Sequence, residues 1–234
     1  MEPIDELRKR YSELASLAGS LAHEIKNPLS IIVMNMELLH EDFEAMAHPE
    51  ARRALKRTKT VIEQCTRLET ILNDFLRFTK LSSLELKPGS LNHHVIQVLE
   101  FFETQASQQG VEIKRYLDSE LPSINLDSQT LQAALMNLVK NAMEAMPDGG
   151  QLVARTRITR TGVALDFIDT GCGMEASALI NMFKEFYTSK DGGTGLGLPT
   201  AKKIIEAHDA RINVQSEVGQ GTQFTIEFPT PRRI

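Results

Sequence analysis

The chain of 234 residues lacks tryptophan and has only two cysteines and three tyrosines. Cys65 and Cys172 form neither a metal-ligand spacing nor a disulfide framework, which fits a reducing environment. No strong excess of one charge is present, and the formal net charge of −5 argues against a nucleic-acid binder that works by bulk charge. Long apolar runs are also missing, because the longest, Leu29–Met34, is broken by a serine and is too short to span a bilayer.

The first ten residues mix acidic and basic side chains, where a signal peptide would carry an apolar stretch. No low-complexity tract or helical repeat suggests a fibrous or solenoid architecture. We therefore expect a cytoplasmic chain that has no membrane segment and belongs to one large domain or two small ones.

Residues 1–82 show the pattern of two long helices. In the first, apolar residues recur at alternating steps of four and three, as in a coiled-coil seam: Leu7, Tyr11, Leu14, Ala18, Leu21 and Ile25. This register puts His23 at the f position, which faces away from a partner helix. An incidental surface histidine is the alternative interpretation. The helix is predicted from about Ile4 to about Ala47, with a bend at Pro28.

A second seam with the same spacing extends to about Lys80. Its members are Thr58, Val61, Cys65, Leu68, Leu72, Phe75 and Thr79. A turn near His48–Glu50 should join the two helices into an antiparallel hairpin. One hairpin cannot bury both seams, so we predict a homodimer through residues 1–80 that forms a four-helix bundle.

The composition changes at 83–90, where Pro88 and Gly89 break regular structure. We predict a linker there and a second domain over 91–234. Its predicted helices are Leu91–Gln108, Ser128–Met146 and Leu198–His208, with Asp127 as an alternative first residue of the second. Its predicted strands are Val111–Leu117, Ile124–Leu126, Gln151–Thr159, Val163–Asp169, Ile212–Ser216 and Thr222–Phe228. This order indicates an α/β sandwich in which helices cover one face of a mixed sheet.

Two groups of polar and small residues suggest chemistry in this domain. Asn137 and Asn141 share one helical face and could orient phosphate oxygens and the water shell of a metal, although exposed polar positions are the alternative. Asp169 follows an apolar strand, where its carboxylate could accept the amine of adenine. Gly171 and Gly173 would let the backbone approach the ring. A tight turn would have the same sequence, but an aspartic protease is disfavoured because this chain has one Asp-Thr-Gly triplet and is mostly helical.

Glycines 193, 195 and 197 precede the predicted helix at Leu198, and the free N–H groups of a helix start bind phosphate. The spacing differs from a Rossmann loop, and a Walker loop is excluded because the chain has no Gly-Lys pair. The glycine flanks suggest a lid that closes over nucleotide. By itself, Gly219–Thr222 suggests an ordinary hairpin turn.

Several stretches in this order resemble one family. His23–Leu29, with the sequence His-Glu-Ile-Lys-Asn-Pro-Leu, resembles the phosphoacceptor box of bacterial sensor histidine kinases. The asparagine pair, Asp-Thr-Gly-Cys-Gly, the aromatic box Phe183–Lys190 and Gly-Thr-Gly-Leu-Gly-Leu resemble their ATP-binding domain. That fold is shared with gyrase, Hsp90 and MutL. The resemblance covers the chain from about Leu14 onward. It implies a helical hairpin in a dimeric four-helix bundle, followed by an α/β sandwich that binds ATP.

The resemblance also implies the roles of individual residues. His23 would take the γ-phosphoryl group of ATP, Glu24 would be its general base, and Asn27 would orient water for dephosphorylating a response regulator. Asn141 would ligate Mg²⁺. The remaining implied nucleotide-binding residues are Asn137, Lys140, Asp169, Gly171, Gly173, Lys190, Gly193, Thr194, Gly195, Leu196, Gly197 and Thr222.

The implied partners are the receiver domain of a response regulator and an upstream sensor domain or sensor partner. The chain could thus be the cytoplasmic core of a longer, membrane-linked sensor. One alternative is an ATPase or chaperone of the same fold, although those enzymes place a carboxylate where this chain has Asn137. Another is a non-enzymatic dimeric scaffold that retains the nucleotide pocket.

Overall fold

The computed structural model describes residues 2–44, 46, 49–79, 84–190 and 193–230. Side chains are described for Ala22 and from Glu24 onward in the first helix, and over 51–76 in the second. The chain divides into two compact units. The helical unit comprises Met1–Ser82 with Lys190–Thr194, and the sheet unit comprises Ser83–Ser189 with Gly195–Ile234.

Two long helices make up most of the helical unit. Helix α1 spans Glu2–Glu44 and continues through Pro28, and helix α2 spans Pro49–Thr79. The turn predicted at His48–Glu50 is wrong in part, because Pro49 and Glu50 already belong to α2. Proline is favoured in the first turn of a helix, where its missing N–H would have no partner. The predicted helix ends at Ala47 and Lys80 lie outside the described residues.

Buried side chains at seven-residue steps fill the seam between α1 and α2. Ala22 and Leu29 of α1 are buried, as are Ala51, Thr58 and Cys65 of α2. Seven residues are close to two helical turns, so each set lies along one face of its helix. The hydroxyl of Thr58 also lies 2.8 Å from Nδ1 of His40, which adds a polar contact across this seam.

The sheet unit contains a five-stranded mixed sheet in the order β2-β4-β5-β7-β6. Strands β2 and β4 are parallel, and the other neighbours are antiparallel. The strands are β2 (Val111–Tyr116), β4 (Gly150–Ile158), β5 (Gly162–Asp169), β6 (Arg211–Glu217) and β7 (Gly221–Pro229). The helices are α3 (Leu91–Gln109), α4 (Ser128–Glu144), α5 (Ala176–Asn181) and α6 (Gly197–Ala207). These elements confirm the predicted helical region followed by an α/β fold.

Two elements were not predicted. The segment 83–90, predicted as a linker, contains strand β1 (Lys87–Gly89), which pairs antiparallel with β3 (Ile124–Leu126). The short helix α5 also lacks a sequence prediction. A strand of three residues that includes proline and glycine has no local signal, because its backbone is ordered by a partner far away in sequence.

The two faces of the large sheet differ in chemistry. On one face, Leu152, Phe167 and Phe224 are buried and helices cover them. On the other, Asp166 is buried among polar groups: Arg155 donates to Oδ2 at 2.9 Å and Thr225 donates to Oδ1 at 2.7 Å. Burial acts to raise the pKa of Asp166, but the hydrogen bonds from Thr225 and the arginines outweigh burial and hold that pKa below its usual value.

Helix ends in this unit follow local capping rules. The hydroxyl of Ser90 accepts a bond of 3.3 Å from the His93 N–H and begins α3, and Gly110 ends it at a φ of 73°. Asp127 begins α4, where Oδ1 accepts from the Thr130 N–H at 3.0 Å.

Candidate functional site

Asp169 ends strand β5 and is only 3% exposed. Its Oδ1 accepts hydrogen bonds from the N–H groups of Gly171 at 2.9 Å and Thr222 at 3.2 Å. These donors fix the carboxylate between the glycine loop after β5 and the first residues of β7. Asp169 and Thr222 also line a cleft of about 320 Å³ near the β6–β7 turn.

The loop after Asp169 is clamped on both sides. At Gly171, an added Cβ would lie 2.7 Å from both Cβ and the carbonyl oxygen of Ala145, at the end of α4. At Gly173, which has a φ of 67°, it would lie 2.0 Å from the carbonyl oxygen of Glu217. Both positions therefore require glycine. At Gly171 the neighbouring chain leaves no room for a side chain, and at Gly173 the backbone is also left-handed.

The two asparagines lie on α4, and both are half-buried. Asn137 faces the start of α6, because a Cβ added at Gly197 would lie 3.7 Å from its Oδ1. The N-cap residue of α6, Leu196, makes no side-chain cap. The structure thus brings Asn137 next to a helix start of the kind that binds phosphate.

The glycine-rich segment before α6 is fixed on one side. Gly195, at a φ of 67°, accepts a bond of 3.0 Å from the Phe186 N–H, and Leu196 is buried. A Cβ added at Gly195 would lie 2.4 Å from the carbonyl carbon of Phe186. Phe186 has a positive φ of 61°, which is strained for an aromatic residue. The loop therefore holds the aromatic box against the start of α6.

Other predicted residues lie elsewhere. Lys140 is exposed on α4, with Nζ 3.9 Å from Oε1 of Glu144. Lys190, Gly193 and Thr194 group with the helical unit. Their predicted phosphate contacts, like the roles of all the site residues, stay predictions.

On α1, Glu24 and Asn27 are exposed, and the side chain of His23 lies outside the described residues. An exposed ridge continues along α1 from Asn27 at steps of four, three and four residues. Its members are Asn27, Ile31, Met34 and Leu38. Large apolar side chains at consecutive exposed positions on one helical face are typical of a protein-binding surface.

Several residues that shape the site were missed by the sequence analysis. Thr170 accepts from the Gln151 N–H at 2.9 Å, and Gly221 lies so near Asp169 that an added Cβ would be 2.0 Å from its carbonyl oxygen. Gly221 could have been found, since the spacing Gly-x-Gly-Thr marks a turn whose end must approach another strand. Thr170 and Ala145 carry no signal, because their roles depend on packing between distant elements.

The donor set at the asparagines fits a cation that arrives with phosphate. Among residues 2–44, 46, 49–79, 84–190 and 193–230, no three His, Cys, Asp or Glu side chains group as metal ligands. Mg²⁺ bound to a nucleotide keeps waters and phosphate oxygens, and it needs only one or two protein oxygens. Half-buried Asn141 can supply one. Separately, none of the helices in the described ranges combines the length and apolar character of a membrane span.

Two family models match the chain. Residues 13–84 match the His Kinase A phospho-acceptor domain, and residues 126–232 match the histidine kinase-, DNA gyrase B- and HSP90-like ATPase. Together they account for most of the chain. The fold and this pair of domains define the catalytic core of a histidine kinase, and the chain belongs to the histidine kinases of bacterial two-component systems.

Curated relatives agree with this assignment. The chain is 28% identical to sporulation kinase C of Bacillus subtilis over 222 residues, which are 94% of this chain and 50% of the relative. It is 30% identical to sensor histidine kinase ZraS of Escherichia coli K12 over 227 residues, 96% of this chain and 48% of the relative. The chain spans half or less of the length of these relatives.

Solved structures show the same fold. Full-length ShkA, crystallised with AMPPNP, matches with a TM-score of 0.73 at 27% identity, over 92% of this chain and 46% of ShkA. Histidine kinase ThkA, in complex with response regulator protein TrrA, matches with a TM-score of 0.66 at 27% identity, over 97% of this chain and 65% of that chain.

Proposed function

We propose that this chain is an ATP-dependent protein histidine kinase that phosphorylates itself on His23 and passes the phosphoryl group to an aspartate of a response regulator. The observation that carries the proposal is the buried carboxylate of Asp169, held by two backbone N–H groups. This site occurs in the same chain as a phosphoacceptor helix that begins a ridge of exposed apolar residues.

The proposed chemistry is the attack of an imidazole nitrogen on the γ-phosphorus of ATP. Glu24 removes the proton from the other ring nitrogen, so the attacking nitrogen presents its lone pair. The new N–P bond replaces the bond from the γ-phosphorus to the bridging oxygen, and ADP leaves. Glu24 follows His23 directly in the sequence, and its side chain is exposed.

In the proposed nucleotide site, the carboxylate of Asp169 accepts a hydrogen bond from the exocyclic amine of adenine. Gly171, Gly173 and Thr222 shape the pocket. Gly195, Leu196 and Gly197 present N–H groups to the phosphates at the start of α6. Asn137 lies beside this helix start, and Asn141 would hold Mg²⁺ through its side-chain oxygen, where the ion would neutralise phosphate charge. The family resemblance adds Lys140, Lys190, Gly193 and Thr194 as further phosphate contacts.

The ridge on α1 supports docking of a receiver domain beside His23. Ile31 is 58% exposed, and Met34 and Leu38 are similarly exposed. Burying such side chains against a partner gains about 1.5–3 kcal/mol each. ThkA, which shares this fold, was crystallised with a response regulator protein, which is consistent with such a partner here.

Asn27 supports the reverse activity, dephosphorylation of that regulator. Its amide is exposed one helical turn after His23, where it could orient a water toward a phosphoaspartate. The Asn27→Ala protein mixed with phosphorylated regulator should lose this activity and still label His23. Unchanged dephosphorylation would reject the role.

A homodimer through the hairpin is the proposed assembly. Ile25, Ile32 and Leu39 form an exposed apolar stripe at seven-residue steps on α1. Val61 and Leu68 continue it on α2, beside the buried Thr58 and Cys65. Two hairpins would bury these stripes in a four-helix bundle. Because the relatives are longer, we also propose an upstream sensor segment or partner. We further propose a cytoplasmic location, where ATP is available to the kinase.

Labelling with γ-labelled ATP separates the kinase from an ATPase or chaperone of the same fold. The kinase predicts protein-bound label that is stable in base and lost in acid, and that is absent from His23→Gln. An ATPase predicts release of labelled phosphate without label on the protein, and a scaffold predicts nucleotide binding with neither.

A further inference from the structure

Helices α4 and α6 are antiparallel neighbours that pack along their length, with specific contacts at two points near the ends of this packing. At the first, Asn137 lies next to Gly197 within the candidate site. At the second, the N–H of Asp127 donates to Nε2 of His208 at 3.0 Å. Ten residues on α4 and eleven on α6 separate the two points, which is about 15 Å along each helix.

The hydrogen bonds of His208 fix its protonation pattern. Its Nδ1 lies 2.8 Å from the carbonyl oxygen of Ile204, and a carbonyl can only accept, so Nδ1 carries the hydrogen. Nε2 then presents a lone pair to the Asp127 N–H. The ring is only 3% exposed and both of its nitrogens are used. His208 thus joins the C-terminal end of α6 to the N-cap residue of α4.

Asp127 connects this point to the segment that enters the sheet unit. Its Oδ1 caps α4 through Thr130, and its Oδ2 accepts from the Glu85 N–H at 3.0 Å. Burial acts to raise the pKa of Asp127, but these hydrogen bonds outweigh burial and hold it below its usual value. The carboxylate is therefore an ionised acceptor that fixes the backbone whose N–H reaches His208.

We propose that His208 is a positioning residue for the nucleotide site, which sets the angle of α6 on α4 through its bond to the Asp127 N–H. The inference rests on the proposed function, because it assumes that Gly195–Gly197 and Asn137 hold the phosphates. Apolar packing between the helices is non-directional, whereas the hydrogen bond at the far end, about 15 Å from the site, adds a directional constraint on the angle between them. Without the far bond, the N–H groups at the start of α6 would swing away from the phosphates.

Two conservative variants separate this role from packing. In His208→Gln, the side-chain oxygen can accept from Asp127 at the position of Nε2, but the bond to Ile204 is lost. In His208→Asn, the amide nitrogen can donate to Ile204 at the position of Nδ1, but the bond to Asp127 is lost. Each variant loses one bond, so their stabilities should be similar while their effects on α6 differ.

The test measures AMPPNP affinity with Mg²⁺ by calorimetry on the full chain, and the KM for ATP and kcat of self-phosphorylation. We expect about tenfold weaker binding and a raised KM in His208→Asn, with kcat unchanged, and near-original values in His208→Gln. Equal affinities in all three proteins, or equal losses in both variants, would overturn the proposal. His94→Leu is the matched control, because His94 is also a buried helix histidine, on α3, and should leave the affinity unchanged.

Amide hydrogen exchange without nucleotide keeps the inference separate from the proposed function. Faster exchange at 196–200 in His208→Asn than in His208→Gln supports the positioning role even if the original protein binds no nucleotide. Identical exchange in the two variants contradicts it. If the original protein fails to bind AMPPNP while the exchange differs, the nucleotide assignment fails and the positioning of α6 stands.

Discussion

The two units differ in how far each buries its own apolar residues. In the sheet unit, Leu138, Leu165 and Ile226 are wholly buried, whereas in the helical unit Ile31, Met34 and Leu38 each expose more than half of their surface. The core of the sheet unit is closed by its own helices, although Phe101 and Ile180 are exposed outside it. The described part of the hairpin has one covered seam and two apolar surfaces left open, which suits a unit that acts through partners.

The largest expected effect comes from disturbing the closed unit at Gly221. Its φ is 96°, and an added Cβ would meet the Asp169 carbonyl oxygen at 2.0 Å. We expect Gly221→Ala to lower the free energy of unfolding of the sheet unit by about 4 kcal/mol or more and to abolish nucleotide binding. Urea unfolding followed by circular dichroism measures the loss.

Gly219 is the matched control for that change, two residues away in the same turn. Its φ is 76°, but nothing lies within 4 Å of an added Cβ. Gly219→Ala should therefore cost only the left-handed backbone strain, about 1 kcal/mol. Equal losses in both variants would show that closeness to Asp169 does not matter.

A substitution on the exposed apolar stripe of the hairpin should weaken dimerisation. Leu68 is 51% exposed and lies on the stripe proposed to face a second copy. Leu68→Glu should weaken dimerisation by about 3 kcal/mol over the two copies and leave the unfolding of the sheet unit unchanged. Analytical ultracentrifugation measures the dissociation constant. Arg67→Glu, a neighbouring exposed position off the stripe, should change it little, and an unaffected Leu68→Glu dimer would reject the stripe as the interface.

Substitution of Asp166 tests the polar face of the large sheet in the closed unit. Asp166→Asn removes the charge that Arg155 and Arg157 contact, and we expect a loss of about 2 kcal/mol at neutral pH. Because the pKa of Asp166 is lowered in the folded state, its contribution is present above the usual value of 3.8 and is lost as the pH falls through the lowered pKa. Unfolding at several pH values should show this acid loss in the original protein and not in the variant. Glu120→Gln, an exposed control, should retain it.

Substitution of His94 should have the smallest effect on the free energy of unfolding. It is buried, its Nδ1 has no hydrogen-bond partner among the described residues, and burial followed by the nearby His93 lowers its pKa. The unfolded chain binds more protons below about pH 6.5, so stability should fall as the pH decreases from there. His94→Leu should remove this part of the slope and raise the free energy of unfolding by about 1 kcal/mol at pH 6. An unchanged slope in the variant would contradict the burial of a neutral ring.

The sequence predicts the elements of this fold where the signals are local. Ser90 and Asp127 mark the starts of their helices in the sequence, because a cap acts within three residues. Gly110 marks the end of α3 for the same reason. The helix pattern placed Thr58, Val61, Cys65 and Leu68 in one seam. The structure separates them, since only Thr58 and Cys65 are buried by α1. Periodicity shows that a face is apolar but does not say which helix covers it.

The candidate site, like the fold, was predictable only where its signals are local in sequence. Glycines required by the backbone, such as Gly173, lie within a recognisable motif. Contacts between distant segments are invisible in the sequence, as for β1 with β3 and for His208, whose partner is 81 residues away. The amide pair on α4 was predicted from spacing alone, but only the fold places Asn137 beside Gly197.

Site-resolved labelling is the most direct test of the central claim. The claim is that ATP bound by the closed sheet unit is the phosphoryl donor to the open helical unit. The protein is incubated with Mg²⁺ and γ-labelled ATP, and the labelled peptide is identified by mass spectrometry under alkaline conditions. The account predicts label on His23 in the original protein, none in His23→Gln although it still binds AMPPNP, and none in Asn141→Ala. Label that persists in His23→Gln, or that appears on another residue of the original protein, would contradict it.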